Sequence, residues 1–218
     1  KHFIFSSSCS TYGIPEKTPI TEEQPCHPIN PYGESKLFVE KVLNWYGKVY
    51  NLNWIALRYF NAAGADPAIE IGEEHDPETH LIPLTIYSAL GKRSALEIYG
   101  TEYPTKDGTA VRDYIHVLDL AKAHVLAINY LLNGGESTIM NLGTGQGYSV
   151  YDVISAVEKF SNKPTPVRKC ENRKGDPPIL VAAANKAHDK LQWHPEYTTL
   201  GNIIETAWNW HTRQLNDS

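Results

Sequence analysis

The chain has 218 residues, enough to bury a substantial core as one large domain or two modest ones. Its 41% hydrophobic and 21% charged residues are ordinary for a globular protein and exclude a disordered or collagen-like chain. A formal charge of -5 gives no general electrostatic drive toward nucleic acid or an anionic membrane, and no apolar run approaches the roughly 18 residues a membrane helix needs.

Residues 1–5 read as a strand entered abruptly, which predicts that further sequence precedes Lys1; Ser6, Ser7 and Ser8 follow at its end. Asn30-Pro31 is a helix-start signal, with asparagine suited to the cap and proline to the first turn. The helix predicted over 32–49 has an apolar face of Leu37, Val39, Val42, Leu43 and Tyr46, and 52–59 reads as the next strand. Strand, helix and strand in this order predict an α/β sheet with helical crossovers. Beyond Gly64 the loops lengthen, which predicts a smaller mixed α/β lobe over the carboxyl ends of the strands and a cleft between the two. Further helices are predicted over 80–90, 117–132, 150–160, 184–191 and 200–214. A strand over 139–142 runs into the turn Gly143-Thr144-Gly145. Ser149 is placed to cap the helix after it, with Asp152 approximating a capping box.

Cys9, Cys26 and Cys170 are odd in number and far apart, which fits neither a disulfide framework nor a zinc pair and points to a reducing, cytoplasmic compartment. No histidine arrangement marks Cys9 as a nucleophile. Tyr32 and Lys36 stand four residues apart and so on one helix face. A tyrosine titrates near pH 10, and a neighbouring ammonium favours its phenolate, so the pair can serve as a base. The bland account is an aromatic packed on a helix surface. With a strand-end Ser8 facing the same cavity, the combination suggests redox chemistry on a sugar hydroxyl. No Gly-x-Gly-x-x-Gly turn is present to seat a dinucleotide pyrophosphate, so such a seat is expected upstream of Lys1. His75, Asp76, Glu78 and His80 carry metal-donor atoms but sit in a polar, charged loop, and a metal site is set aside. His116 and His211 read as structural.

Several ordered motifs sharpen this reading: Ser6-Ser7-Ser8-Cys9-Ser10-Thr11-Tyr12-Gly13, Tyr32-Gly33-Glu34-Ser35-Lys36, Arg58-Tyr59-Phe60-Asn61-Ala62-Ala63-Gly64, Arg112-Asp113-Tyr114-Ile115-His116-Val117, Arg173-Lys174-Gly175-Asp176-Pro177 and Trp208-Asn209-Trp210-His211. Together they resemble the extended short-chain dehydrogenase/reductase family, and within it the UDP-glucose/UDP-galactose 4-epimerases. The resemblance implies an incomplete Rossmann-like parallel sheet. Residues 1–64 would be the C-terminal part of an NAD-binding domain with its catalytic helix. Residues 65–218 would be mainly a substrate lobe, with segments near 112–145 returning to the first domain.

The resemblance also implies site roles. Tyr32 is the acid/base, Lys36 lowers its pKa and holds the nicotinamide ribose, and Ser8 relays the proton of the sugar hydroxyl. Ser6, Ser7 and Tyr59 lie on the NAD side. Asn61, His80, Leu81, Arg112 and Arg173 approach the diphosphate and sugar, Asp176 the uridine ribose, and Tyr99 the uracil. A 4-keto sugar formed against NAD⁺ would turn over in the cleft and be reduced on its other face. Two departures affect specificity. His80 stands where the family often has asparagine, and Leu180 stands where a tyrosine restricts some relatives to unsubstituted hexoses. Leucine leaves room for an N-acetylhexosamine or a change to a pentose. The implied partners are a UDP-sugar and a second copy of the chain, with neither nucleic acid nor membrane. A noncatalytic nucleotide-sugar-binding fragment is the rival reading.

Overall fold

The computed structural model describes residues 1–173 and 175–213; Lys174 and Gln214, the predicted end of the last helix, lie outside the described residues. In chain order β1 (His2–Ser8), α1 (Pro31–Tyr50), β2 (Asn53–Tyr59), β3 (Asn61–Ala63) and α2 (Leu81–Ala89) lead to β4 (Leu96–Tyr99), β5 (Val111–Arg112), β6 (Tyr114–His116) and α3 (Val117–Leu132). Then come β7 (Thr138–Leu142), β8 (Tyr148–Ser149), α4 (Val150–Ser161), β9 (Val167–Cys170), β10 (Ile179–Leu180), α5 (Asn185–Leu191) and α6 (Leu200–Thr212). Among the described residues no helix is long and apolar enough to cross a membrane.

Strands β1, β2 and β7 form a parallel sheet in that order, with Ser8 opposite Tyr59 and Tyr59 opposite Leu142. Side chains alternate across a strand, so β2 sends Trp54 and Ala56 to one face and Ile55 and Leu57 to the other. Leu43 and Val39 of α1 pack on the first face, while Leu120, Ala123, Ala127 and Leu131 of α3 pack on the second with Ala187, Leu191 and Trp193. A parallel sheet covered by helices on both faces is the Rossmann-like arrangement expected of strand–helix–strand order. A second core joins α2, α4 and α6 through Ile82, Ile86, Val153, Val157, Ile203 and Ile204. Short sheets β3-β6, β4-β9 and β10-β5-β8 complete this smaller α/β layer.

The expected apolar face of α1 is only partly buried. Leu43 is covered, but Tyr46 points to solvent, and the other deeply buried side chain of the helix is the acidic Glu40. The expected Ser149 cap is a full capping box, because Ser149 Oγ accepts from Asp152 N and Asp152 Oδ2 accepts from Ser149 N. Asp113 is buried and accepts hydrogen bonds from the backbone N–H groups of Thr144, Gly145 and Ala182, fixing the turn after β7. Gly143 is required there, since an added Cβ would lie 2.5 Å from Asp113 Oδ2.

His116 is structural, as its sequence context suggests. Its Nδ1 accepts from Leu118 N at the start of α3, its Nε2 meets Thr206 Oγ1 at 2.9 Å, and its ring stacks on Tyr197. Burial lowers its pKa, with Asp119 acting in the opposite direction. A histidine lowered in the folded state contributes stability that is present above its unfolded value, about 6.5, and lost as pH falls through the folded value. His116→Asn keeps an N-cap acceptor but does not titrate in this range. The fall in melting temperature between about pH 7.5 and 5.5 is therefore expected to be smaller in His116→Asn than in the parent, other histidines such as His80 being common to both. Parallel melting curves with the same slope against pH would remove His116 as the cause.

Candidate active site

A cavity of about 790 Å³ opens at the carboxyl ends of β1 and β2 and is walled by Ser8, Tyr32, Tyr59, Asn61, His80, Arg112, Asp176 and Leu180 among others. Parallel sheets bind ligands at this end of the strands. Ser8 and Tyr59 reach it because each ends its strand and the register sets them side by side. Tyr32 reaches it from the first turn of α1, where Asn30 Oδ1 accepts from Gly33 N at 2.8 Å. Gly33 lets this turn press against the segment after β1, since a Cβ there would lie 2.4 Å from Ser10 O. That close approach brings a helix side chain over a strand end.

Lys36 Nζ donates to Ser6 O at 3.0 Å and lies 5.4 Å from the centre of the Tyr32 ring. The direction of the Tyr32 shift differs from the sequence expectation. Its pKa is raised, chiefly by partial burial, with the nearby Ser8 hydroxyl acting to lower it. Lys36 is turned to a backbone carbonyl, so its charge does not offset the burial. The other upstream serines also differ in placement. Ser7 is fully buried and donates to Glu40 Oε1 at 2.6 Å, while Ser6 Oγ meets His124 Nε2 at 2.9 Å; neither side chain lines the cavity. Cys9 does line it, but burial pushes its thiol up to about 12, which removes it as a nucleophile at neutral pH.

A second cavity of about 430 Å³ shares Asn61, His80, Arg112 and Asp176 with the first and adds Leu81, Tyr99 and Arg173. Arg112 bonds Asp176 Oδ1 at 2.5 Å, so the cation and the carboxylate expected at separate parts of a ligand hold each other. The Arg173 guanidinium sits 4.2 Å from the centre of the Tyr99 ring and covers the face expected to stack on a base, while Tyr99 OH donates to Glu97. Leu180 lies opposite Arg112 in the β10–β5 pair and packs with Cys9, Phe60 and Ala182. His80 lines both cavities, and its Nδ1 lies 2.5 Å from Glu73 Oε1.

Some wall residues escape sequence reading. Glu73 and Glu74 line the main cavity, although nothing in their spacing marks them beyond a charged loop. Glu40 and Arg58 form a buried pair, Arg58 Nε to Glu40 Oε1 at 2.9 Å, that ties α1 to β2. They are 18 residues apart, and each reads alone as a solvated charge.

Known proteins share this fold. The UDP-glucose 4-epimerase of Rhizobium meliloti is 52% identical over 212 residues, covering 97% of this chain and 64% of that protein. The crystal structure of UDP-glucose 4-epimerase from Brucella ovis in complex with NAD superposes with a TM-score of 0.92 at 48% identity, over 95% of this chain and 64% of that one. The UDP-glucose 4-epimerase from Bifidobacterium longum in complex with NAD⁺ and UDP gives 0.92 at 41% identity, over 100% of this chain and 65% of that one. The chain thus spans somewhat less than two thirds of the length of these relatives. Residues 1–143, which hold the sheet, α1 and the strand ends that meet at the cavity, match the NAD dependent epimerase/dehydratase family, and the chain belongs to it.

Proposed function

We propose that this chain carries the proton-transfer and sugar-binding part of an NAD-dependent 4-epimerase acting on UDP-glucose and UDP-galactose. The observation that carries the reading is the meeting of Ser8, Tyr32 and Tyr59 at one end of a parallel sheet, in a cavity that also holds Asn61, Arg112 and Asp176. The relatives named above support the substrate and the cofactor.

The donor set fits the nicotinamide-ribose half of NAD. Tyr32 offers a hydroxyl, Lys36 an ammonium between the Phe5 and Tyr32 rings, and Tyr59 a flat wall at the strand end. No glycine-rich turn of the pyrophosphate type is in the sequence, so residues 1–218 offer no such seat for the other half. When bound, NAD supplies the oxidant for C4 of the sugar and then the reductant for the resulting ketone. Tyr32 takes the proton of the 4-hydroxyl and later returns it, and Ser8 hydrogen-bonds that oxygen. Arg112 and Arg173 attract the diphosphate, and Asp176 accepts from the ribose hydroxyls. The pairing of Arg112 with Asp176 sets both groups in place before a ligand arrives. The cavity wall keeps the ketone close while it turns, which is what lets one site serve both faces.

On this reading residues 1–64, with 112–145 packed back on the sheet, make the cofactor side, and most of 65–218 makes the substrate lobe. The packing of α5 and Trp193 in the same core supports a further return to the cofactor side. Exposed Phe38, Trp45, Val49 and Tyr50 support pairing of two copies through α1.

The test is titration with UDP and UDP-glucose, followed by an NAD-supported assay of UDP-galactose formation, in this chain and in the complete reading frame that encodes it. Turnover in the reading frame is expected. Binding without turnover in both proteins rejects the enzyme and leaves a binding module. Leu180 provides a test of sugar size. Leu180→Tyr should lower the kcat/KM ratio of UDP-N-acetylglucosamine to UDP-glucose by about tenfold or more, given a parent that accepts both. An unchanged ratio would move the determinant to His80 or elsewhere.

A further inference from the structure

In the wall of the main cavity, outside the groups assigned to proton transfer, two histidines and two glutamates converge from a single loop. Glu73, His75, Glu78 and His80 bring one donor atom each to within 4.8 Å of one another. We propose that they form a binding site for a divalent transition-metal ion of the zinc class, with Nδ1 of both imidazoles and one oxygen of each carboxylate as ligands. The proposal does not rest on the epimerase reading, and His80 is common to this cluster and to the cavity wall.

The spacing suits such an ion. His75 Nδ1 is 3.1 Å from Glu73 Oε1 and 3.6 Å from Glu78 Oε2, the unpartnered oxygen. Bonds of about 2.0–2.2 Å in a tetrahedron place ligand atoms roughly 3.3–3.6 Å apart. The 2.5 Å contact of His80 Nδ1 with Glu73 Oε1 must widen, and donor atoms that lie within 4.8 Å of one another must draw together to this spacing. Two imidazole nitrogens with two carboxylates form a borderline donor set, which favours zinc and its neighbours over calcium or magnesium.

Glu78 supplies the independent sign of a ligand. Its side chain is only 5% exposed, its Oε1 accepts from the backbone N–H groups of Thr79 and His80, and its Oε2 has no hydrogen-bond partner. A buried carboxylate oxygen left unpartnered is costly, and this one faces the His75 imidazole across the cluster. A cation between them satisfies it. The loop is also pre-positioned, since Trp210 Nε1 donates to Glu73 O at 2.8 Å and Arg213 bonds Glu74 at 2.8 Å. Gly72 lies so close to Trp210 that a Cβ would come within 2.2 Å of its ring. Ligands held by fixed backbone lose little freedom when they bind metal. An ion here would also offset two carboxylates at the rim of the cavity.

The experiment uses the full chain, stripped with chelator and freed of any affinity tag. It is titrated with Zn²⁺ by calorimetry and with Co²⁺ by visible absorption. The expected result is one saturable Zn²⁺ per chain and a Co²⁺ spectrum of four-coordinate intensity. Removing an outer-shell partner typically costs a metal site about 10–100-fold, so His75→Ala/His80→Ala should weaken Zn²⁺ binding by more than about tenfold. Both histidines are about half exposed, so the double variant should fold, as circular dichroism would record. Glu78→Gln keeps the shape of the side chain and removes its charge, and should weaken binding by about tenfold or more as well. Absence of saturable Zn²⁺ binding overturns the site, as does binding by either variant that matches the parent.

Discussion

Tyr32→Phe is expected to lower epimerisation of UDP-galactose by about 10²–10⁴-fold in the complete reading frame, with little change in UDP affinity, because it removes the phenolic proton and keeps the ring. Tyr32 is about half exposed, so the loss creates no cavity and melting should be unchanged. The loss should fall on kcat, since the hydroxyl acts on the reacting oxygen rather than on the nucleotide. Burial raises the Tyr32 pKa in this structure, with Lys36 turned to the Ser6 carbonyl. Lys36→Met separates these roles. It removes the Ser6 contact and the charge together, and should impair both turnover and retention of the dinucleotide. Near-parental turnover by Tyr32→Phe would dismiss it as the proton carrier, whatever Lys36→Met does.

The pieces of the fold legible in the sequence are those whose signals are local. The helix over 117–132 matches α3 end for end, and Ser149 with Asp152 marks the start of α4. The strand over 52–59 begins one residue later, at Asn53, where pairing with β1 begins. The helix expected from about His80 starts at Leu81, because His80 is its N-cap with extended backbone, and the His80 ring turns to Glu73 and makes no cap bond. Long-range polar pairing was illegible. Nothing near Asp113 announces that it will bind the N–H groups of Thr144 and Ala182, and nothing near Glu40 announces Arg58. Of the residues that the motif resemblance names, Ser8, Tyr32, Tyr59 and Arg112 line one cavity, while the Ser7 hydroxyl is committed to Glu40. A motif carries backbone position well and side-chain partners poorly. Glu73 shows the same limit, since its place opposite His75 and His80 comes from how the loop folds back and not from its spacing along the chain.

Glu40→Ala should be the most damaging single change to stability in the region of α1. Glu40 accepts from Ser7 Oγ at 2.6 Å and from Arg58 Nε and a terminal nitrogen at 2.9 and 2.5 Å, and both charged side chains are only 3% exposed. Removing the carboxylate strands a buried guanidinium, at a cost of about 3–5 kcal/mol. In a chain of this size each kcal/mol shifts the melting temperature by about 2–4 °C, so a drop on the order of 10 °C is expected. The damage should extend to function. Lys36 to Ser6 and Glu40 to Ser7 are successive ties between α1 and β1, and Tyr32 sits on the same helix eight residues before Glu40, about 12 Å along its axis. Loosening the second tie should let the Tyr32 turn drift from Ser8, so kcat should fall even well below the melting point, though less than in Tyr32→Phe. The pair itself is not expected to be a large net source of stability, because desolvating two charges offsets most of their attraction. Replacing Glu40, Arg58 and Ser7 together by apolar residues of similar volume should therefore restore most of the lost melting temperature. It should not restore kcat fully, since the directional tie between α1 and β1 would still be gone. Equal melting of Glu40→Ala and the parent would show that the guanidinium finds water or another acceptor, and the pair would then be no anchor for the helix.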